Sequence, residues 1–219
     1  LAKNCGKVHL WGNNATQMQH IIDHNNNEPY VKGNLPENIT AFSDFELALD
    51  GVSDVIIVVP TVAFLEVLEK LFSLRTTGWR IAWGTKGLVK ISGENTLLPV
   101  AVQELYGDIP TAVLSGPSFA GEVAANLPTC VNLASNDSAF SDDLCALFAS
   151  ATFRVDSLDD MISVSLGGVI KNIFAILSGM SDGLGWGANA RCALISWGYS
   201  EMSALLQVMG GSPKSLTQP

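Results

Sequence analysis

The chain has 219 residues, of which 47% are hydrophobic, and its 12 Lys and Arg residues are outnumbered by 21 Asp and Glu residues, for a net charge of −9. A chain of this length and apolar content can bury a sizeable core, so it is predicted to fold as a soluble protein of one or two domains. The acidic balance, with no basic run interleaved with aromatic residues, argues against a nucleic-acid partner.

The cysteines are scattered, with no C-x-x-C pair and no histidine at ligand spacing, at Cys5, Cys130, Cys145 and Cys192. This pattern predicts neither a metal site nor a disulfide framework, and free thiols are typical of the reducing cytoplasm. The longest continuous apolar runs fall well short of the roughly 18 residues that span a bilayer. We therefore expect no stable membrane insertion.

Short apolar runs rich in β-branched residues alternate along the chain with helical patterns. Five runs are predicted strands: residues 7–11, 54–59, 80–83, 111–114 and 129–134. The clearest helix covers residues 61–74, where apolar side chains recur at helical spacing. Because strands read as continuous apolar runs when helices cover both faces of a sheet, the pattern predicts an α/β fold with a Rossmann-like, doubly wound, mostly parallel sheet.

The character of the sequence changes at about residue 159, where helix, glycine-rich link and helix follow with no further strand. We therefore predict a sheet domain over residues 1–158 and the incomplete beginning of an all-helical second domain over residues 159–219. The opening segment "LAKNCGKVHLWGNN" resembles the end of a helix, a glycine stop and a second strand. This predicts that a first strand and a glycine-rich, phosphate-binding turn precede Leu1.

In an open parallel sheet, ligands bind beyond the carboxyl ends of the strands. Lys86 follows one predicted strand between two glycines, and Gly116, Ser118 and Ala120 follow another in "SGPSFAGEVA". Pro117 suits a first helical position, which would leave backbone N–H groups near Ser118 open to an anion. Each feature has a simpler interpretation, either a solvated turn lysine or an ordinary helix start.

Phe64 lies on the helix that follows the strand at residues 54–59. An aromatic side chain there can form one wall of a nicotinamide site, although a core position is the commoner role on an apolar helix. At the end of the strand at residues 7–11, Asn13 stands where an NAD-specific fold usually carries an acid. Without that acid, either NAD or NADP is permitted.

Lys171 is the only charged residue in "SVSLGGVIKNIFAILSGM". Its helical neighbours include Gly167 and Gly168, which each cost about 1 kcal/mol relative to Ala in a helix and therefore indicate a close approach of another backbone or a ligand. A lysine that is partly desolvated, or held near another cation such as Lys86, can serve as general acid and base. With Asn172 orienting substrate oxygens, this favours carbonyl–alcohol interconversion with a nicotinamide cofactor bound by residues 1–158.

Several motifs resemble those of the bacterial NAD(P)-dependent glycerol-3-phosphate dehydrogenases, in order and spacing along essentially the whole chain: "LWG", "VVP", "WGTKGL", "LSGPSFAGEVA", "LPT", "SLGGVIKN", "GMSDGLGWGANAR" and "GYSEMSALLQVMGG". The resemblance implies reversible reduction of dihydroxyacetone phosphate to sn-glycerol 3-phosphate in glycerophospholipid synthesis, by a cytoplasmic enzyme that can be a homodimer. It implies that Lys171 is the proton acceptor and, with Lys86, Gly116 and Ser118, contacts the small phosphorylated substrate. Lys86 and Ala120 are implied cofactor contacts, and Asn13 falls where the family often has a cofactor-contacting histidine.

The chain departs from this family by lacking its glycine-rich fingerprint, its Gly-Leu-Gly-Asp-Leu element and its Ser-Arg-Asn substrate-phosphate element. Arg191 belongs to a helix-starting motif and is not expected to be the substrate-phosphate arginine. A truncated chain with incomplete catalytic machinery is therefore expected. Two alternatives remain: a related two-domain dehydrogenase of 3-hydroxy acids or ketoacids, and a non-catalytic nucleotide-binding fragment.

Overall fold

The structure, a computed structural model, describes residues 1–28 and 30–216, so the last three residues of the predicted second domain, 217–219, lie outside the described residues. Its strands are β1 (Val8–Trp11), β2 (Asn26–Asn27), β3 (Val31–Asn34), β4 (Ile39–Phe42), β5 (Asp54–Ile57), β6 (Arg80–Trp83), β7 (Leu88–Ile91), β8 (Glu94–Leu97), β9 (Thr111–Ser115), β10 (Thr129–Ser135) and β11 (Phe153–Leu158). Its α-helices are α1 (Ala15–His24), α2 (Phe45–Ala48), α3 (Thr61–Leu74), α4 (Leu98–Tyr106), α5 (Ala120–Ala124), α6 (Ser138–Phe148), α7 (Met161–Gly183) and α8 (Gly187–Val208).

A five-stranded sheet in the order β11-β10-β9-β6-β5 forms the centre of the fold. Its strands are parallel except for the antiparallel pair β9 and β10. The prediction of a mostly parallel α/β sheet followed by helices is therefore confirmed. Because β5, β6 and β9 run in the same direction, the loops that follow them meet at one edge of the sheet.

Alternate residues of the central strands belong to two hydrophobic cores, one on each face of the sheet. Ile81 and Trp83 of β6 belong to the larger core with α3 and α4, whereas Ala82 between them belongs to a second core with α6. Strand residues alternate between the two sheet faces, so both faces are covered. This coverage explains why "RIAW" and "TAVL" read as continuous apolar runs.

Several strands were missed by the sequence prediction, for identifiable reasons. β11 is an edge strand in which Phe153, Val155 and Leu158 are interspersed with Arg, Asp and Ser, so it has no continuous apolar run. β7 and β8 form a hairpin around Ser92 and Gly93, which both have positive φ, 51° and 91°. Positive φ at both central residues is the requirement of a two-residue hairpin turn that usually carries Asn-Gly, and Ser-Gly is a weaker signal.

β1 and β4 form a separate parallel pair, which no hydrogen bond described here joins to the five-stranded sheet. Trp11 of β1 packs edge-on against Phe45 of α2 at a ring-centroid distance of 4.7 Å. Both rings pack against the larger core that also contains β5 and β6. The pair is thus attached to the rest of the fold through side chains.

α7 and α8 follow the last strand and pack against each other. The glycine at position 198 allows this contact, because a Cβ there would lie 2.7 Å from the ring of Phe174. α7 is also long and apolar enough to cross a membrane by length and composition, with a mean hydropathy of 1.7, although core helices pass the same test. α7 contains no long continuous apolar run, because Gly, Ser, Lys171 and Asn172 interrupt its apolar residues, so the search for such runs in the sequence did not find it.

Candidate functional site

Two lysine side chains meet at one backbone carbonyl at the edge of the sheet. Lys171 Nζ, from α7, donates a hydrogen bond of 2.8 Å to the carbonyl oxygen of Gly116, and Lys86 Nζ, from the loop after β6, donates one of 3.2 Å to the same oxygen. Both side chains are partly buried. The structure therefore brings together three residues that the sequence predicted separately, namely Lys86, Gly116 and Lys171.

Close backbone packing fixes the shared carbonyl. Gly116 directly follows β9, and a Cβ at this position would lie 2.9 Å from both the carbonyl oxygen of Cys130 and the Cα of Val131 in β10. Backbone atoms of a paired strand move little, so only glycine fits here without displacing β10. The carbonyl that receives the two ammonium groups is thereby held against the sheet.

The Lys86 loop is fastened to the start of α3. The Thr61 hydroxyl donates to the carbonyl oxygen of Lys86 at 2.6 Å, and the Thr85 hydroxyl donates to the carbonyl oxygen of Val59 at 2.9 Å and accepts from its N–H at 3.2 Å. Gly87, with a φ of 148°, packs against Thr61, where a Cβ would overlap the threonine side chain. The loop backbone is therefore anchored, and the Lys86 side chain extends from a fixed point.

Burial and the neighbouring cation act on Lys86 in the same direction. Desolvation, followed by the hydrogen-bonding and Coulombic effects of Lys171, lowers the pKa of Lys86 from 10.5 to about 8. An ammonium group with a pKa near neutrality can exchange its proton at physiological pH. The pair is also a concentrated positive charge in a protein of net charge −9, as a site for an anion requires.

A cavity of about 210 Å³ lies beside Lys171. It is lined by the end of β9 with the loop after it, by β10 and β11, by the first turns of α7 and by the segment after α8: Ser115, Gly116, Pro117, Asn132, Leu158, Ser163, Val164, Gly167, Gly168, Lys171 and Ser215. Its walls are mostly small or polar. A space of this size and lining suits a small polar ligand rather than a large apolar one.

The other predicted substrate residues, Ser118 and Asn172, are not among the residues that line this cavity. Ser118 is exposed and its hydroxyl approaches the carbonyl oxygen of Gly116 at 3.5 Å, while Asn172 is exposed on α7 next to Lys171. The expectation that Pro117 begins a helix is wrong, because the short helix α5 begins at Ala120 with Phe119 as its N-cap. Ser118 therefore lies in the loop, and its backbone N–H is not part of a helix N-terminus.

The predicted cofactor residues divide into two groups. Asn13, in the loop after β1, and Ala120, the first residue of α5, are both exposed to solvent. Phe64 instead has no exposed surface, and its ring packs edge-on against Trp83 at 5.6 Å between centroids. Since a ligand has no access to that ring, the structure places Phe64 in the core and does not support a cofactor wall formed by it.

Two residues at or near the cavity were not predicted from the sequence to have a role in the site. Asn132 lines the cavity from β10, but within an apolar strand it reads as an ordinary interruption. Asp160 caps α7 by accepting a 2.9 Å hydrogen bond from the N–H of Ser163, and it also accepts from the N–H of Ser212 at 2.7 Å and from the hydroxyl groups of Ser163 and Ser215. The aspartate at the start of a helical pattern signals the cap, but nothing in the sequence indicates its contacts 50 residues away.

Asp160 fastens the segment after α8 to the start of α7, beside the cavity. Burial alone would raise the pKa of Asp160, but the hydrogen bonds donated by Ser163, Ser212 and Ser215 outweigh it and hold the pKa below its ordinary value. The Asp160 carboxylate therefore has a structural role, as the acceptor that joins the segment after α8 to the start of α7. Arg191 likewise has a structural partner, because its guanidinium donates two hydrogen bonds to Asp182 of α7, at 3.0 and 2.6 Å.

The lowered pKa of Lys86 predicts a pH-dependent stability. Between about pH 8 and pH 10.5, Lys86 is protonated in the unfolded chain but has lost its proton in the folded protein. The free energy of unfolding therefore rises with pH in this window. Below about pH 8, the contribution of Lys86 to the free energy of unfolding is constant. Lys86→Met, which has no charge to bury, is expected to show a smaller rise than the parent. Urea unfolding at about pH 7 and about pH 10 measures the difference, with exposed Lys90→Met as the control. Equal pH responses of the parent and Lys86→Met would contradict the prediction.

Comparison with known proteins gives matches over both parts of the chain. Residues 1–141 match the family model of the NAD-dependent glycerol-3-phosphate dehydrogenase N-terminus, and residues 160–218 match that of the C-terminus. The glycerol-3-phosphate dehydrogenase [NAD(P)+] of Coxiella burnetii is 47% identical over 218 residues, covering 99% of this chain and 65% of the relative. The enzyme of the same name from Glaesserella parasuis is 43% identical over 215 residues, covering 97% and 64%.

A solved structure gives the same result. The crystal structure of glycerol-3-phosphate dehydrogenase from Coxiella burnetii superposes with a TM-score of 0.91 at 47% identity, covering 97% of this chain and 65% of that one. The chain thus spans about 65% of the length of the curated Coxiella burnetii relative. With two family models matching consecutive parts of the sequence, the chain belongs to the NAD-dependent glycerol-3-phosphate dehydrogenase family.

Proposed function

We propose that the protein containing these residues interconverts dihydroxyacetone phosphate and sn-glycerol 3-phosphate, with NAD or NADP as the hydride carrier. The observation that carries the proposal is the convergence of the Lys86 and Lys171 ammonium groups on the carbonyl of Gly116, at a cavity of about 210 Å³. The substrate would be a phosphorylated three-carbon compound, which is small, anionic and has a carbonyl or hydroxyl group to accept or lose a proton. Family membership supports this choice of substrate.

In the proposed reaction, the Lys171 ammonium donates its proton to the carbonyl oxygen of the substrate while a hydride is added to the carbonyl carbon. The ketone thereby becomes a secondary alcohol, and the neutral amine regains a proton from solvent. In the oxidising direction, the Lys171 amine removes the hydroxyl proton as the hydride leaves. Lys86 stabilises negative charge on the substrate, while Gly116, Ser118 and Asn172 bind and orient its oxygens.

The cofactor would lie along the carboxyl ends of β1, β5 and β6. Asn13 is exposed after β1, Lys86 extends from the loop after β6, and Val58 after β5 presents an apolar surface that is 73% exposed, while Ala120 is exposed at the start of α5, beyond β9. These residues could hold part of a dinucleotide. Among residues 1–28 and 30–216, no G-x-G-x-x-G turn follows a strand to bind the pyrophosphate. A bound nicotinamide would supply or accept the hydride.

The proposal extends to three properties of the whole protein. We place it in glycerophospholipid synthesis, because sn-glycerol 3-phosphate is the backbone of those lipids, and in the cytoplasm, where its cysteines would stay reduced. We also propose a homodimer, which the family resemblance allows. The domain division at residues 158 and 159 is part of the same proposal, with the second unit continuing the substrate site through α7 and the segment after α8.

The test is oxidation of NADH and NADPH on addition of dihydroxyacetone phosphate. Because the chain spans 65% of the Coxiella relative, the assay uses a chimera in which the flanking segments of that relative are joined to these residues. We expect turnover with dihydroxyacetone phosphate and far less with dihydroxyacetone, which lacks the anionic group. Turnover of a ketoacid instead would favour the related dehydrogenases, and cofactor binding without turnover of any of these compounds would favour a non-catalytic nucleotide-binding protein.

A further inference from the structure

The two consecutive glycines of α7 have different surroundings. A Cβ built at Gly167 meets nothing within 4 Å. A Cβ at the buried Gly168 would lie 2.8 Å from the hydroxyl oxygen of Ser115 and 3.3 and 3.6 Å from the Cγ and Cδ of Lys86. Only the second glycine therefore faces a close approach.

Two of the three atoms nearest to a Cβ at Gly168 belong to the aliphatic stem of Lys86. The stem passes over the helix where its surface lacks a side chain, and its ammonium group then reaches the Gly116 carbonyl at 3.2 Å. Lys171 lies three residues further along the same helix, so it projects from the same face one turn away. The second ammonium group of the pair is thus placed next to the first by a single turn of α7.

We propose that Gly168 is a positioning residue, whose missing side chain seats the Lys86 stem against α7 and sets the Lys86 ammonium beside Lys171 on the Gly116 carbonyl. The contact itself is independent of the substrate. Its consequence for catalysis rests on the proposed function, in which this pair binds and protonates the substrate.

A methyl group at position 168 cannot be accommodated by movement of the Lys86 backbone. The Lys86 carbonyl is held by the Thr61 hydroxyl at 2.6 Å, and Gly87 beside it packs tightly against Thr61. The Ser115 hydroxyl can rotate away, since it ends a short side chain. The Lys86 stem must then lift from the helix by a few tenths of an ångström, which withdraws its ammonium group from the Gly116 carbonyl and from Lys171.

The experiment compares Gly168→Ala with Gly167→Ala in the 219-residue chain. The rate at which Lys86 is acetylated by a small reagent is followed by mass spectrometry as a function of pH, which reports the fraction of neutral amine. In the parent we expect a midpoint of about 8. In Gly168→Ala the midpoint should rise by about one unit, with an acetylation rate about tenfold lower near neutral pH, since one pKa unit is a tenfold change in the neutral fraction.

Gly167→Ala is the matched control because it makes the same change on the same helix with no contact to disturb. Its Lys86 midpoint should equal that of the parent. An unchanged midpoint in folded Gly168→Ala, or an equal shift in both variants, would overturn the proposal. A merely structural role for Gly168 would change the free energy of unfolding without moving this midpoint.

A second variant covers the case in which Gly168→Ala does not fold. Ser115→Ala with Gly168→Ala removes the shorter contact, to the Ser115 hydroxyl, and keeps the one to the Lys86 stem. We expect it to fold and to show the raised midpoint. If this variant also fails to fold, Gly168 serves helix packing and the positioning role is rejected. Because the labelling uses no substrate or cofactor, its result is independent of whether dihydroxyacetone phosphate is turned over.

Discussion

Lys171→Ala in the Coxiella-extended chimera is expected to lower kcat for dihydroxyacetone phosphate reduction by about 10²–10⁴-fold, the usual contribution of a general acid. The lysine lies at the cavity with its ammonium group 2.8 Å from the Gly116 carbonyl oxygen, and in the proposed reaction that group supplies the proton taken up by the substrate oxygen. Alanine leaves water and the less closely placed Lys86 to supply it. Steady-state oxidation of NADPH or NADH measures the loss.

Two further variants distinguish the role of Lys171 as a proton donor from its role as a positive charge. Lys171→Arg keeps a positive charge but cannot release its proton near neutral pH, so it should remain close to Lys171→Ala in kcat while recovering part of the substrate affinity. Lys90→Ala, which removes an exposed lysine from β7, should match the parent. Full activity of Lys171→Arg would show that the lysine acts as a charge only, and full activity of Lys171→Ala would exclude it from the reaction.

Phe64→Ala is expected to lower the free energy of unfolding by about 3–5 kcal/mol, as removal of a large buried aromatic side chain does. The ring is fully buried against Trp83 in the larger core, so its loss removes apolar contacts and leaves a cavity. This is a large share of the roughly 5–15 kcal/mol that stabilises a typical domain. Urea unfolding followed by tryptophan fluorescence measures the change.

The control for Phe64 is on the same helix. Val62 is 94% exposed, so Val62→Ala should change the free energy of unfolding by no more than about 0.5 kcal/mol. The same pair of variants tests the alternative role of Phe64. If Phe64→Ala left stability unchanged and weakened NADPH binding, the ring would be part of the cofactor site after all.

Much of this arrangement could be predicted because it depends on local sequence. The strands β5, β6, β9 and β10 are apolar runs bounded by polar residues or Pro, and parallel neighbours place their following loops at one edge. That reasoning was enough to bring Lys86 and Gly116 together. The glycines at positions 167 and 168 also indicated a close approach on α7, which the structure shows for Gly168.

The remainder depends on contacts between distant residues, which a local pattern does not contain. An apolar residue on a helix has the same sequence signal whether it faces a core or a ligand, so Phe64 could not be assigned from its spacing. Gly167 and Gly168 are likewise equivalent until the Lys86 stem is placed over one of them. The contacts of Asp160 with Ser212 and Ser215 join segments about 50 residues apart.

The shared carbonyl of Gly116 has a consequence for ligand discrimination. Each ammonium group has three N–H donors and uses one of them on this carbonyl, at 2.8 and 3.2 Å, so a ligand either shares the ammonium groups with the carbonyl or replaces it. A neutral oxygen offers the lysines an acceptor of the same kind as the Gly116 carbonyl, whereas an anion adds the attraction of an opposite charge. The internal acceptor thus favours ligands that bring negative charge over neutral analogues that only replace one oxygen acceptor by another.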